Sequence, residues 1–175
     1  KGSKIGLGSK VMVEVVGTKK IGDNNYALLV GNPGHPPLRG VYQDLTDIRT
    51  QLETFRYNGN IVELRGGGAT TGRVLEEIER IFPLMTVGSH FWLHYSGHGS
   101  IDRGLCLGLR DDLRPELLFR TLGKMRGKKA VVLDCCHAGA FANGSVPPLT
   151  AVLAGSDEYG KAYEPRIDGV KRGIF

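Results

Sequence analysis

The stretch FWLHYSGHGS, residues 91–100, joins an apolar run to a cluster of histidine, serine and glycine residues. A second stretch, KKAVVLDCCHAGAF at residues 128–141, follows the same plan, with an apolar strand that ends in polar and nucleophilic side chains. In open α/β sheets, catalytic and ligand-binding residues lie at the carboxyl ends of strands. The two stretches therefore predict strands whose ends meet at one functional site.

Size and composition indicate a globular protein. A chain of 175 residues, 41% of them hydrophobic, is enough for one domain that buries roughly 70% of its unfolded surface. Three cysteines, two of them adjacent, make a poor set of structural disulfides and favour a reducing, cytoplasmic setting. Because no apolar stretch approaches the length of a membrane span, we expect no membrane association. The net charge of +5 comes from scattered basic pairs, which argues against nucleic acid as the main partner.

Apolar periodicity predicts alternating strands and helices. The predicted strands are residues 11–16, 26–31, 60–64, 90–96, 129–134 and 149–155. The later ones have the continuous apolar character of strands that are covered on both faces. The predicted helices are residues 41–55, 74–82 and 112–123, the last with an aspartate start and a glycine stop. This alternation predicts an α/β protein with a mostly parallel sheet between two layers of helices.

The glycine-rich segment RGGGATTGRV, residues 65–74, has the setting of a phosphate-binding loop, between a strand and a helix. Its chemistry differs, because Arg73 replaces the phosphate-binding lysine and Val74 replaces the magnesium-binding hydroxyl. We interpret the segment as a turn in which Thr70 or Thr71 caps the next helix.

Three histidines, His90, His94 and His98, recur every four residues, as metal ligands on a helix do. On a strand, however, residues four apart lie roughly 13 Å apart, too far for one tetrahedral ion with ligands at about 2 Å. Structural zinc is therefore not expected. His90 and His94 are interpreted as core or strand-end histidines whose ring nitrogens are hydrogen-bonded.

His98 and Cys136 point instead to nucleophilic catalysis. If their strands are neighbours, both residues emerge at carboxyl ends, where a thiol and its base can share a substrate. A free cysteine is only a few per cent thiolate at neutral pH and needs a proton acceptor or a cationic neighbour, and His98 can be either. The flanking glycines allow a backbone amide to turn toward a developing oxyanion.

The motifs HYSGHGS (94–100) and DCCHAG (134–139) resemble the histidine and cysteine blocks of caspase-like peptidases, most closely the metacaspase and prokaryotic caspase branch. The similarity extends to YALLVGN as the first core strand, to PLRGVYQDLTDIRTQLE and TTGRVLEEIERI as the first two helices, and to TAVLAGSDEYGKAYE after the cysteine. It covers residues 26–175 and implies a caspase-like three-layer sandwich with cysteine endopeptidase activity on proteins or peptides. The alternative is a caspase-like interaction module without turnover.

The resemblance also implies roles for individual residues. His98 is the expected catalytic histidine and Cys136 the nucleophile, with Cys135 a bystander. The backbone amides of Gly99 and Cys136 are the expected oxyanion hole. Metacaspases cleave after arginine or lysine with an acidic pocket, and the matching positions here are Asp44, Ser96 and Asp134.

Many metacaspases bind calcium through aspartates that follow the histidine strand, and Asp111 and Asp112 match part of that set. The chemistry itself requires no cofactor, and the resemblance leaves calcium dependence open. Asp112 has an alternative role as the cap of the following helix.

The ends of the chain carry a further expectation. Residues 1–23 are interpreted as a linker or an N-terminal strand extension, and residues 24–175 as the large-subunit part of the catalytic domain. The final DGVKRGIF, residues 168–175, ends where a strand begins. We therefore expect a carboxyl-terminal small-subunit fragment of the same precursor as partner.

Overall fold

The computed structural model describes residues 24–57, 60–167 and 169–173. Its centre is a five-stranded sheet in the order β2-β1-β3-β7-β8, in which every neighbouring pair is parallel. The strands are β1 (Asn25–Asn32), β2 (Ile61–Arg65), β3 (His90–Gly97), β7 (Lys128–Asp134) and β8 (Thr150–Ala154). Five predicted strands are thus confirmed to within two residues, while the strand predicted at 11–16 lies outside the described residues.

Two shorter sheets accompany the central one. The first is antiparallel and consists of β4 (Gly99–Ser100), β5 (Gly104–Cys106) and β6 (Asp112–Leu113). The second pairs β9 (Arg166–Ile167) with β10 (Val170–Lys171). The first of these small sheets begins just beyond the end of β3, so it borders the edge of the central sheet where the two sequence motifs end.

Helices cover both faces of the central sheet, which confirms the three-layer α/β sandwich. The helices are α1 (Val41–Thr54), α2 (Thr71–Ile81), α3 (Pro115–Leu122) and the single turn α4 (Gly139–Ala142). On one face, Leu45 and Leu52 of α1 pack with Ala27 and Leu29 of β1. The opposite face belongs to the larger core cluster, to which both α2 and α3 contribute. Residues that alternate along β1 therefore enter different cores, as the period of two requires.

The starts of two helices test the predictions made for them. Thr70 caps α2, since its side chain accepts a hydrogen bond from the backbone N–H of Arg73 at 3.2 Å. The aspartate start predicted for the third helix is wrong, because Asp112 belongs to β6 and the residue at the N-cap is Arg114, whose side chain makes no capping hydrogen bond. Pro115 at the first helical position sets this start without a side-chain cap.

His94 was predicted to be a core histidine with hydrogen-bonded ring nitrogens. It is fully buried in β3, as a core histidine should be, but neither Nδ1 nor Nε2 has a hydrogen-bond partner among the described residues. Burial lowers the pKa of His94 to about 4, so the ring is neutral at physiological pH. The interpretation of His94 as a hydrogen-bonded histidine is therefore wrong, whereas its place in the core is right.

Within residues 24–57, 60–167 and 169–173, no helix is both long enough and apolar enough to cross a membrane.

Candidate active site

Parallel pairing of β3 with β7 brings the two sequence motifs together. Ser96 is the register partner of Asp134, so His98 and Cys136 each lie two residues beyond this pair, at the same end of the sheet. Both side chains line one cavity of about 380 Å³. The structure thus places the predicted thiol and imidazole at a shared opening, at the carboxyl ends of two adjacent strands.

The histidine is held by a backbone carbonyl. His98 Nε2 lies 2.8 Å from the carbonyl oxygen of Pro36, in the loop between β1 and α1. A carbonyl can only accept a hydrogen bond, so Nε2 must carry the proton. In the neutral imidazole, Nδ1 is then the unprotonated nitrogen and is available as a base.

The same loop packs against the ring. Gly34 adopts a φ of +62°, and a Cβ atom at this position would lie 2.4 Å from His98 Cδ2. Only glycine combines this backbone conformation with so close an approach. Asn32 fixes the start of the loop, because its Oδ1 accepts the N–H of Gly34 at 2.9 Å and its Nδ2 donates to the carbonyl of Leu107 at 2.5 Å.

The loop after β3 packs directly on the cysteine motif. A Cβ atom at Gly99 would lie 2.0 Å from the carbonyl oxygen of Cys136 and 2.9 Å from Cys135 Sγ, so the backbone at Gly99 can approach the cysteine turn only without a side chain. The Tyr95 hydroxyl lies 2.8 Å from the carbonyl of His98 and 2.9 Å from that of Cys106, which ties the loop to the core beneath it.

The two adjacent cysteines have opposite environments. Cys135 is buried in the larger core, and burial raises the pKa of its thiol well above the usual range. Cys136 is half-buried, lines the cavity and directs its Sγ toward the carbonyl of Ala162, 3.7 Å away. A sharp turn follows, since His137 has a φ of 58° and its N–H donates to the carbonyl of Gly160. Both cysteines line the cavity, but Cys135 is almost fully buried, so Cys136 is the partly exposed thiol of the pair.

Three further predicted residues line the same cavity. Asp44, Ser96 and Asp134 are all buried, and Ser96 Oγ donates to Asp44 Oδ2 at 2.7 Å. Burial raises the pKa of Asp44, while hydrogen bonds from the Gly173 amide and the Ser96 hydroxyl act in the opposite direction. Two carboxylates and a hydroxyl in one partly closed cavity form an acidic pocket that suits a cationic guest.

The candidate calcium residues lie elsewhere. Asp111 Oδ2 accepts the N–H of Thr71 at 2.9 Å, and Asp112 pairs with Arg103 at 3.5 Å. Across the described part of the chain, no group of three or more His, Cys, Asp or Glu side chains is placed to hold a metal ion. Calcium takes six to eight oxygen ligands, so the donors that these residues supply do not form a calcium site by themselves.

Apart from Asp44, sequence reasoning missed the residues that contribute to this site from outside the two motifs. Pro36 acts through its backbone, which carries no signature of residue type. Glu164, Lys171 and Gly173 also line the cavity but lie far along the chain from both motifs. The one available signal was the density of proline and glycine in NPGHPP, residues 32–37, directly after a buried strand.

The fold and the cavity define a class of protein: an α/β domain with a parallel sheet that carries a cysteine and a histidine at adjacent strand ends. The sequence profile of the caspase domain matches residues 21–167. The chain therefore belongs to the caspase domain family, whose members are caspase-like cysteine peptidases.

A comparison with solved structures finds a similar fold. A crystal structure of a Geobacter sulfurreducens protein superposes with a TM-score of 0.54 at 23% sequence identity, covering 65% of this chain and 50% of that one. This chain thus spans half the length of that protein. Among curated proteins, none matches the sequence closely enough to count as a relative.

Proposed function

We propose that this protein is a cysteine endopeptidase of the metacaspase-like branch that cleaves proteins or peptides after arginine or lysine. One observation carries the proposal: the Cys136 thiol, the His98 imidazole and the acidic groups of Asp44 and Asp134 all line a single cavity. A thiol and a base supply the chemistry, and the carboxylates supply the selectivity.

Because the proton of the neutral His98 ring is on Nε2, Nδ1 is the nitrogen that acts as the base. His98 Nδ1 takes the proton of the Cys136 thiol, and the thiolate attacks the carbonyl carbon of the scissile bond. The amides of Gly99 and Cys136 stabilise the resulting oxyanion. As the tetrahedral intermediate collapses, imidazolium Nδ1–H gives its proton to the leaving amine, which leaves a thioester on Sγ. Water, deprotonated by His98, then hydrolyses the thioester and restores the thiol.

The Pro36 carbonyl supports this cycle in two ways. It holds the imidazole in one orientation, and it favours the imidazolium that forms after proton transfer, because Nε2–H then becomes a charge-assisted donor. The role is that of a positioning group, since Pro36 need not touch the reacting atoms.

The acidic pocket is the proposed binding site for the basic side chain that precedes the scissile bond. A planar guanidinium can form paired hydrogen bonds with carboxylates, whereas an ammonium acts as a point charge. We therefore place arginine equal to or above lysine as the preferred residue.

The proposal includes a partner. Among the described strands, β8 pairs only with β7, and Leu153 on β8 remains 41% exposed. An open sheet edge of this kind is usually covered or paired. We place the carboxyl-terminal small-subunit fragment of the precursor there. Intact-mass and sedimentation measurements test this part, since a fully active 19.0 kDa monomer would show that no partner fragment is needed.

The activity is tested with an arginyl fluoromethyl ketone. If Cys136 is an active nucleophile beside a pocket for basic side chains, its thiolate displaces fluoride and the protein gains the mass of the inhibitor less that of HF. Peptide mapping then locates the adduct on Cys136. Absence of an adduct under reducing conditions, with and without calcium, would favour the interaction module without turnover.

A further inference from the structure

The acidic pocket has a wall that lies outside both sequence motifs. Residues 171–173, here called the 171–173 wall, pass beside the amino-terminal end of α1, and Lys171 and Gly173 line the cavity. The backbone N–H of Gly173 donates to Asp44 Oδ1 at 2.8 Å. Since Ser96 donates to the other oxygen of the same carboxylate, the orientation of Asp44 is fixed from two sides.

Ionic and backbone contacts anchor the wall. The guanidinium of Arg172 pairs with the carboxylate of Asp47 on α1, and the Arg172 N–H donates to the carbonyl of Pro165 at 3.1 Å. Lys171 Nζ lies 4.0 Å from Glu164 Oε2. Glu164 in turn accepts the N–H of Gly40 at 2.7 Å, at the start of α1. The wall is therefore attached to the start of α1 at two points, directly through Asp47 and indirectly through Glu164.

Glycine is required where the wall meets the carboxylates. A Cβ atom at Gly173 would lie 1.8 Å from Asp134 Oδ2 and 3.1 Å from Asp44 Oδ2. The first distance is far inside van der Waals contact, so any side chain at this position displaces either Asp134 or the wall. No such conflict exists at Gly67, where a Cβ atom would meet nothing within 4 Å.

We propose that Gly173 is a positioning residue that determines the specificity of the pocket. Its amide orients Asp44, and its lack of a side chain lets Asp134 stay beside Asp44 in one carboxylate pair. This inference rests on the proposed function, because it explains how the site selects a basic side chain. In this arrangement the wall provides the geometry that a guanidinium needs, and Asp44 and Asp134 provide the negative charge.

The test compares wild type with Gly173→Ala on peptides that differ only in the residue before the cleaved bond. We expect kcat/KM for arginine to fall at least tenfold, mainly through a higher KM, while alkylation of Cys136 by iodoacetamide keeps its rate. Gly67→Ala is the matched control and should behave as wild type. Equal cleavage after arginine by Gly173→Ala and wild type would overturn the proposal, as would a parallel loss of alkylation.

Two additions keep the result interpretable. Arg172→Gln loosens the wall without introducing a clash, so it should weaken cleavage after arginine in the same direction even if Gly173→Ala folds poorly. Binding of benzamidine, followed by calorimetry, reports on the pocket without turnover. If wild type binds benzamidine at least tenfold more tightly than Gly173→Ala but neither cleaves peptides, the pocket assignment stands and the peptidase proposal fails. If wild type neither cleaves after arginine nor binds benzamidine, the role of Gly173 is overturned.

Discussion

His98 Nε2 lies 2.8 Å from the carbonyl oxygen of Pro36, a residue 62 positions earlier in the chain. The contact fixes the tautomer of the ring, because the carbonyl can only accept. It leaves Nδ1 as the nitrogen that can take a proton from a thiol. A base whose other nitrogen is already bound needs no reorientation before proton transfer, which is how positioned groups lower a barrier.

Replacing His98 by alanine should therefore lower kcat at least 100-fold, the usual scale for the loss of a positioned base. Initial rates on an arginyl peptide, with circular dichroism to confirm folding, provide the measurement. Since His98 lies in a loop and is half-buried, the variant should keep its fold. A His98→Ala protein with wild-type kcat would remove the imidazole from the mechanism.

The two adjacent cysteines allow a matched comparison. Cys136→Ala should abolish cleavage, because it removes the partly exposed thiol of the cavity. Cys135→Ala should keep most of the activity, although it creates a small defect in the core where Cys135 packs. Rates and melting temperatures of both variants separate the two effects. If Cys135→Ala were the inactive variant, the nucleophile would be Cys135 and not Cys136.

The continuous apolar runs before both motifs predicted buried strands of a parallel sheet, whereas the pairing of β3 with β7 entered the sequence argument only as a condition. The cavity that Asp44 shares with the strand ends was expected from family resemblance, not from the helix pattern, in which Asp44 is simply an aspartate in a first turn. Residue type and spacing thus indicate which side chains emerge at the sheet edge.

Other features depend on tertiary placement, for which a linear pattern contains no signal. The carbonyl of Pro36 meets His98 only through the path of a loop, and any residue type could supply that oxygen. Gly173 becomes important because of where the backbone passes, 129 positions after Asp44. The burial of His94 was predictable from its strand, but the absence of partners for its nitrogens among the described residues depends on neighbours from other elements.

The acidic pocket predicts a charge requirement in the substrate. Asp134→Asn should weaken cleavage after arginine by about 3 kcal/mol, or on the order of 100-fold in kcat/KM, because a desolvated guanidinium would lose a charged partner. Asp102→Asn, in an exposed turn, is the control and should cleave as wild type. A peptide library cleaved preferentially after aspartate or a large apolar residue would contradict the assignment.

Calcium dependence is a separate prediction. Because the proposed chemistry uses only His98 and Cys136, cleavage should persist in EGTA. If added calcium stimulates cleavage through Asp111 and Asp112, the stimulation should disappear in an Asp111→Asn/Asp112→Asn double variant. It should persist in the control variant Asp102→Asn. Calorimetric titration of calcium into the wild type and the double variant measures binding directly. Complete loss of wild-type activity in EGTA would show that calcium is essential.

The buried His94 predicts an acid-sensitive fold. Burial lowers the pKa of His94 to about 4, against 6.5 for an exposed histidine, so between these values the unfolded chain binds a proton that the folded chain does not. Protonation of His94 in the unfolded chain therefore lowers the free energy of unfolding as the pH falls from 6.5 toward 4. The loss amounts to about 2 kcal/mol between pH 7 and pH 5. His94→Leu removes both this titration and two ring nitrogens that have no hydrogen-bond partner in the described part of the chain. Its free energy of unfolding, from urea titrations at both pH values, should fall less on acidification than that of the wild type. If the two proteins lose the same stability between pH 7 and pH 5, the ring of His94 does not stay neutral in the folded state.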